Sequence, residues 1–209
     1  MLQQIENKYK PGAEAETEIV MAVFQNSPDK IHERVAQNDP VNAKSSKGIP
    51  LITLTVIFGF EESMDALLQY KVKINNIDHE GFHVLHRCVM YGRLEMIPKV
   101  MTQKILKEFP SPRFQRTALA MAAMSDHPLA VEMASALLDF GCNINAKDYL
   151  GDRPLMLAIK ERNFPMIEMF ISRGASLTKT NDLGINAVDY AEREGVDITH
   201  LLPKNVKSR

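Results

Sequence analysis

His86 and Cys88 are the residues of this sequence whose types are best suited to covalent chemistry, because an imidazole beside a thiol can generate a nucleophilic thiolate. On a helix, residues two positions apart point about 200° away from each other, so these side chains cannot form a base and nucleophile pair. We therefore interpret both as structural residues. The other cysteine, Cys142, lies far along the chain, and two thiols make neither a disulfide framework nor a zinc site.

Other patterns typical of catalysis or cofactor binding are missing from the sequence. The acidic pair Glu61–Glu62 is better explained as the start of a helix, where carboxylates favour the positive end of the dipole. Glycine-rich phosphate loops, G-x-S-x-G and H-E-x-x-H do not occur, so we predict no metal and no cofactor. Metal-ligand spacing is also lacking among the six histidines, which are His32, His79, His83, His86, His127 and His200.

The overall charge excludes several classes of partner. With 25 basic and 26 acidic side chains the net charge is -1, which argues against nucleic acid or an anionic membrane as the partner. The longest apolar run, Ile49–Phe60, is shorter than the about 20 residues of a membrane span. Together with the low cysteine content, this favours a soluble, cytoplasmic protein in a reducing compartment.

Four glycines mark an internal repeat. Gly48 and Gly81 are 33 residues apart, as are Gly151 and Gly184. The 70 residues from Gly81 to Gly151 hold two such intervals and four extra residues. Alignment on these glycines brings apolar residues into register at Ile52, Leu85, Leu155 and Val188, and small or apolar residues at Thr55, Cys88, Ala158 and Ala191.

The aligned segments resemble the ankyrin repeat, whose period is about 33 residues and whose signature is G-x-T-P-L-H-x-A. Gly81–Cys88, Arg116–Ala123 and Gly151–Ala158 match the signature in part, and Leu137–Asp148 is similar to the family's second-helix ending and hairpin. The resemblance implies an all-α fold, an ankyrin-repeat α-solenoid of stacked helix–turn–helix units with short hairpin loops. We expect an N-terminal extension at 1–14, a repeat domain at 15–205 and a tail at 206–209. The repeats are expected at about 15–47, 48–80, 81–114, 115–150, 151–183 and 184–205.

Three segments conflict with a regular repeat. Pro110 and Pro112 cannot donate backbone hydrogen bonds, so we expect no regular hairpin in 104–116. Extra residues near Ser125–Pro128 enlarge a turn between two helices. Ile52–Ile57 is rich in β-branched residues and favours a strand by propensity. The repeat register places it on a helix, and we follow the register because propensity differences stay below about 1 kcal/mol per residue.

The resemblance implies that the chain binds another protein. Ankyrin proteins typically bind partners on the concave side, which hairpin tips and first helices form, and apolar or aromatic residues at such positions suggest contacts. We predict a monomer that serves as a regulator, inhibitor, scaffold, adaptor or host-targeting effector, the last delivered into a host cytosol. The predicted partner-binding residues are Ile57, Phe58, His79, Phe82, Met90, Tyr91, Met124 and Tyr149.

An enzyme is the alternative class, with the irregular 104–116 loop as an active-site insertion. It is disfavoured because the sequence holds no recognisable nucleophile, metal cluster or phosphate cradle. The resemblance also places Asn42, Asn75 and Asn145 at hairpin positions that are hydroxylated in some ankyrin proteins. We expect these asparagines to stabilise the turn in either case.

Overall fold

The computed structural model describes residues 8–9 and 16–203, and the chain divides into two compact units, Met1–Leu106 and Lys107–Arg209. We call them the first and the second unit. The predicted tail at 206–209 lies outside the described residues, as does most of the predicted extension at 1–14. Within the described residues the secondary structure is helical, apart from one isolated bridge between Lys44 and Pro50. This confirms the all-α prediction.

The first unit is built from pairs of short helices. The first helices of the pairs, α1, α3 and α5, pack side by side, and the second helices α2 and α4 pack behind them. A single pair could not bury its apolar face, so the stack supplies the core. The helices are α1 (Glu18–Phe24), α2 (Pro28–Ala36), α3 (Leu51–Phe58), α4 (Glu61–Leu68), α5 (Val84–Met90) and α6 (Met96–Met101).

The second unit repeats the arrangement. Here α7, α9 and α11 pack in one row, and α8 packs against α10. A 3₁₀ turn, Thr199–Leu201, takes the place of a second helix after α11. The helices are α7 (Ala118–Ala123), α8 (Ala130–Asp139), α9 (Pro154–Lys160), α10 (Phe164–Ser172) and α11 (Ala187–Glu194).

Helix α3 shows how burial overrides propensity. Leu51–Ile57 are all buried, because α3 packs against α1, α4 and α5. The Thr55 hydroxyl donates to the carbonyl of Ile52 at 2.8 Å, so its polar atom is also satisfied inside the helix. Burial of an aliphatic side chain contributes about 1.5–3 kcal/mol, which exceeds its propensity cost. The prediction of a helix at this β-branched segment is confirmed.

A hairpin precedes each first helix from α3 onward. In Asp78–Phe82, the Asp78 amide donates to the Phe82 carbonyl at 3.1 Å and the Gly81 amide donates to the Asp78 carbonyl at 2.9 Å. Gly81 has φ +80°, a conformation that residues with a side chain rarely adopt. The same pairing recurs in Ser45–Ile49, Asp148–Asp152 and Asn181–Ile185.

As expected, 104–116 lacks the regular hairpin of the other repeats, but it still forms a hairpin of altered length. A hairpin one residue longer spans Ser111–Arg116, where the Ser111 amide donates to the Arg116 carbonyl at 2.8 Å. Gln115, with φ +50°, takes the role of the glycine and donates to Ser111 at 3.1 Å. The prolines are tolerated because the hairpin draws its donors from positions 111, 115 and 116 rather than from Pro110 or Pro112.

The hairpin asparagines connect successive loops. The Asn42 side chain accepts from the Lys73 amide at 2.6 Å, and Asn75 accepts from the Leu106 amide at 2.8 Å. In the second unit Asn145 accepts from the amide of Ser176 at 2.9 Å. These side chains therefore bond to the loop of the next repeat and hold neighbouring repeats in register.

Candidate partner-binding site

The predicted partner-binding residues fall in both compact units. His79, Phe82, Met90 and Tyr91 surround helix α5 in the first unit, where Ile57 and Phe58 end helix α3. Met124 and Tyr149 belong to the second unit. The two groups are therefore described separately.

Ile57 is not available to a partner, so its prediction as an exposed residue was wrong. Its side chain is 0% exposed, because α3 is apolar on all sides and lies between α1 and α5. Phe58 is half-buried and packs edge-on against Phe24 with ring centroids 5.5 Å apart. It also stacks on Phe60 at 5.5 Å. Phe58 thus contributes mainly to an aromatic cluster within the unit.

Around α5 the structure brings together three of the predicted residues. Phe82 ends the hairpin, Met90 ends the helix and is 42% exposed, and Tyr91 follows it. At their centre lies Arg87, whose guanidinium carbon is 4.8 Å from the Phe82 ring centroid and whose Nη1 contacts the Met90 sulfur at 3.9 Å. We call the set Asp78, Glu80, Phe82, Arg87, Met90 and Tyr91 the Arg87 cluster. His79, at the hairpin tip beside it, is exposed.

Arg87 is a fully buried charge that two carboxylates neutralise. Its Nε donates to Asp78 Oδ2 at 2.7 Å, and its Nη2 pairs with Glu80. The Asp78 side chain is also inaccessible, whereas Glu80 keeps 30% of its side chain exposed. Burial disfavours the charged form of Glu80, but the hydrogen bonds from Arg87 and Lys8 outweigh it and lower the pKa of Glu80 to about 2. The cluster is therefore charged at neutral pH.

Tyr9 covers the Arg87 cluster. Its side chain is 1% exposed, and its phenol oxygen accepts from Arg87 Nη1 at 3.3 Å and from the Tyr91 hydroxyl at 3.1 Å. The Tyr9 and Tyr91 rings meet edge to face at 6.4 Å. Lys8 pairs with Glu80 at 2.9 Å. A segment remote in sequence thus occupies the face that was predicted to bind a partner.

The nearby histidines and cysteine have structural roles. The His83 amide donates to His86 Nδ1 at 3.2 Å at the start of α5, and His83 Nε2 lies 3.2 Å from Asn75 Oδ1. Burial, followed by the neighbouring His86, lowers the pKa of His83 to about 4. Burial raises the pKa of Cys88, so its thiol stays protonated and unreactive at neutral pH. This agrees with the structural interpretation from sequence.

In the second unit several exposed apolar residues lie at hairpin tips, and two others, Leu129 and Phe164, lie at the starts of α8 and α10. Tyr149 is 63% exposed, whereas Met124 is half-buried. The Tyr149 amide donates to the carbonyl of Phe114 at 2.8 Å, so two tips are joined through the backbone. The exposed apolar tip residues of this unit are Phe114, Tyr149, Leu150 and Leu183.

The described residues hold no candidate metal site. Over residues 8–9 and 16–203, no group of three or more His, Cys, Asp or Glu side chains is placed to hold a metal ion. The segment 104–116, suggested as an active-site insertion, contains a repeat hairpin instead. No helix in the described part of the chain is long and apolar enough to cross a membrane.

Comparison with protein-family models identifies the fold. A model of ankyrin repeats in three copies matches residues 98–181, and a model of ankyrin repeats in many copies matches residues 56–99. The chain belongs to the ankyrin-repeat family. Ankyrin repeats generally serve as protein–protein interaction modules, and the helix pairs and hairpins described above have the architecture of this family.

Curated sequences match most of the chain at low identity. A putative ankyrin repeat protein of Acanthamoeba polyphaga mimivirus is 21% identical over 92% of this chain and 20% of its own length. An L-asparaginase of Dirofilaria immitis is 22% identical over 63% of this chain and 27% of its own length. A putative palmitoyltransferase of Danio rerio is 26% identical over 61% of this chain and 19% of its own length. The chain thus spans 27% or less of each of these relatives.

Four residues of this ankyrin protein's site, Tyr9, Asp78, Glu80 and Arg87, are absent from the predicted partner-binding residues. Arg87 had a detectable signal, because the corresponding positions of the other repeats carry Leu54, Met121, Leu157 and Tyr190 rather than a charge. A lone arginine at an otherwise apolar or aromatic repeat position indicates a dedicated partner. Tyr9 carried no signal, because it precedes the repeats and has no register to place it.

Proposed function

We propose that this ankyrin chain is a protein-binding module whose contact surface in the first unit is the Arg87 cluster with the tip residue His79. The observation that carries the proposal is the burial of Tyr9 on this cluster. The surface contains apolar side chains, aromatic rings and oriented polar groups, which is the composition typical of energetically important interface centres. A tyrosine side chain already packs on it with only 1% of its area exposed.

The second unit, taken by itself, has a separate set of exposed apolar residues. Tyr149, Leu150 and Leu183 expose 63%, 49% and 77% of their area at hairpin tips. Exposed apolar residues of this kind mark interaction surfaces. The proposed surface of this unit therefore includes Leu150 and Leu183 beside the predicted Tyr149.

The module acts by occupying its partner, as a regulator or inhibitor, rather than by catalysis. The mimivirus relative matches 92% of the chain, which supports a host-directed effector role within this class. Two free, buried cysteines fit a reducing compartment such as the cytosol of the producing or the host cell.

Site-specific photo-crosslinking tests the proposal. A photoreactive benzoylphenylalanine at Met90, which is 42% exposed, should join the chain to one discrete protein in the cell that contains it. The matched control is the same group at Gln69, an exposed residue just after α4. The product from position 90 should be lost when Phe82 is replaced by alanine. Equal products from both positions, or a product that ignores Phe82→Ala, would contradict the proposal.

A further inference from the structure

The contacts of Tyr9 are specific for a tyrosine. Its phenol oxygen accepts from Arg87 Nη1 at 3.3 Å and from the Tyr91 hydroxyl at 3.1 Å, and lies 3.5 Å from Glu80 Oε2. A phenylalanine would fill the same space but leave these buried donors without their acceptor. Sites built around a hydroxyl reject analogues that lack it, because their polar groups are then unpaired.

The residue before Tyr9 is also recognised. Lys8 Nζ pairs with Glu80 Oε1 at 2.9 Å and lies 5.0 Å from the Tyr9 ring centroid. The Lys8 backbone carbonyl accepts from Lys47 Nζ at 2.7 Å. The surface thus contacts a cation, a backbone carbonyl and a phenol within two successive residues.

We infer that the Arg87 cluster is a recognition site for an unmodified tyrosine preceded by a basic residue. Lys8–Tyr9 is its intramolecular ligand, and a partner protein carrying the same residue pair competes for it. This inference rests on the proposed function and names the chemistry of the partner segment.

The charges around the phenol define which tyrosine fits. Arg87 is already paired with Asp78 and Glu80, so it has no unpaired charge to offer a phosphate. The Glu80 carboxylate lies 3.5 Å from the phenol oxygen and would repel a phosphoryl group there. The site therefore discriminates against phosphotyrosine.

Intramolecular occupancy sets how strongly a competitor must bind. A tethered ligand acts at an effective concentration in the millimolar range, so a free peptide binds the intact chain weakly. Removal of the Tyr9 side chain from the protein vacates the site. A peptide that carries the Lys–Tyr pair then binds without competition.

The test measures binding of a fluorescent peptide with the sequence of residues 4–12, QIENKYKPG, by anisotropy. We expect the full chain carrying Tyr9→Ala to bind it at least tenfold more tightly than the wild-type chain. The matched control, Phe164→Ala, removes an aromatic ring that is 46% exposed in the second unit and should bind like wild type. Equal affinities for the wild-type and Tyr9→Ala chains would overturn the inference.

Peptide variants test the chemistry on the same Tyr9→Ala chain. Phenylalanine or phosphotyrosine at the tyrosine position, or alanine at the preceding lysine, should weaken binding at least fivefold. Unchanged binding of these peptides would overturn the assignment. If circular dichroism shows that Tyr9→Ala has lost its helices, Tyr9→Phe serves instead. Its ring still fills the site but binds more weakly, so the tyrosine peptide should displace it and bind at least fivefold more tightly than to the wild-type chain.

The outcome is separable from that of the proposed function. Failure of the peptide to bind the folded Tyr9→Ala chain, with crosslinking from Met90 intact, would overturn the recognition site and leave the binding module standing. Failure of the crosslinking with normal peptide selectivity would leave the tyrosine site and remove the proposed partner surface.

Discussion

Replacement of Asp78 by asparagine would remove one charge from the interior of the first unit and leave its hairpin intact. Asp78 is 4% exposed, and its Oδ1 accepts from two amides of its own hairpin at 2.9 and 3.0 Å. Asparagine can take this role, because Asn181 does so in the corresponding hairpin with two bonds of 3.0 Å. The change therefore isolates the contact of Oδ2 with Arg87 at 2.7 Å.

The expected loss follows from the burial of both groups. Arg87 and Asp78 side chains are each 0% exposed, and removal of one partner from a buried ion pair costs about 3–5 kcal/mol. Because Glu80 still pairs with Arg87, we expect the lower end, about 3 kcal/mol.

Asp148→Asn is the matched control. Asp148 makes the same two hairpin bonds at 2.9 and 3.0 Å, and its Oδ2 meets Arg116 Nε at 3.2 Å. The Arg116 side chain is 15% exposed, so water can replace part of the lost contact. A hydrogen bond to a charged group contributes about 1.5–3 kcal/mol, and we expect a loss of about 1.5 kcal/mol here.

Hydrogen exchange read by mass spectrometry is the appropriate assay, because repeat stacks open locally and each compact unit needs its own readout. In Asp78→Asn, a loss of about 3 kcal/mol should make the protected α5 amides exchange more than about a hundredfold faster than in the wild-type chain. The α9 amides should report the smaller change in Asp148→Asn. If Asp78→Asn costs no more than its control, the Arg87 charge does not depend on Asp78 and the reasoning is refuted.

Three further outcomes are expected. Burial holds the pKa of His83 at about 4, below its ordinary 6.5. The contribution of neutral His83 to stability is therefore complete above pH 6.5 and is lost as the pH falls through 4, which costs about 3 kcal/mol. The free energy of unfolding in urea, measured at pH 7 and pH 4, should change less with pH in His83→Gln than in the wild-type chain. Gly151→Ala should lower the thermal unfolding temperature more than Gly184→Ala. Both glycines have positive φ, but only at Gly151 would a Cβ meet the Asp182 backbone, at 2.7 Å. An equal decrease in the two variants would contradict this. Gln115→Gly should raise the free energy of unfolding by about 1 kcal/mol by relieving a φ of +50°, and a loss of stability in the same assay would contradict the strain argument.

Much of the fold was predictable because register is a local property. The 33-residue spacing of Gly48 and Gly81 places every helix between them, including the β-branched α3. Helix α3 forms because the free energy gained by burying its side chains in the stack exceeds the cost of their low helix propensity. The hairpin at Ser111–Arg116 escaped prediction because an extra residue and Gln115 replaced the expected glycine pattern.

The candidate site was predictable only in part. Register placed Phe82, Met90 and Tyr91 around one helix, and the structure brings them together about Arg87. Exposure was not predictable to the same degree, because it depends on what neighbouring helices cover. Ile57 was expected at the surface and is fully buried for this reason.

The sequence by itself determined the repeat, the helices and which residues share a face, since these follow from periodic spacing along the chain. Only the tertiary structure decided that Tyr9 lies on Arg87, 78 residues away, because nothing periodic links the two positions. Their contact depends on a buried guanidinium that needs acceptors and on a phenol that supplies one. That requirement becomes visible only when both side chains are seen in place.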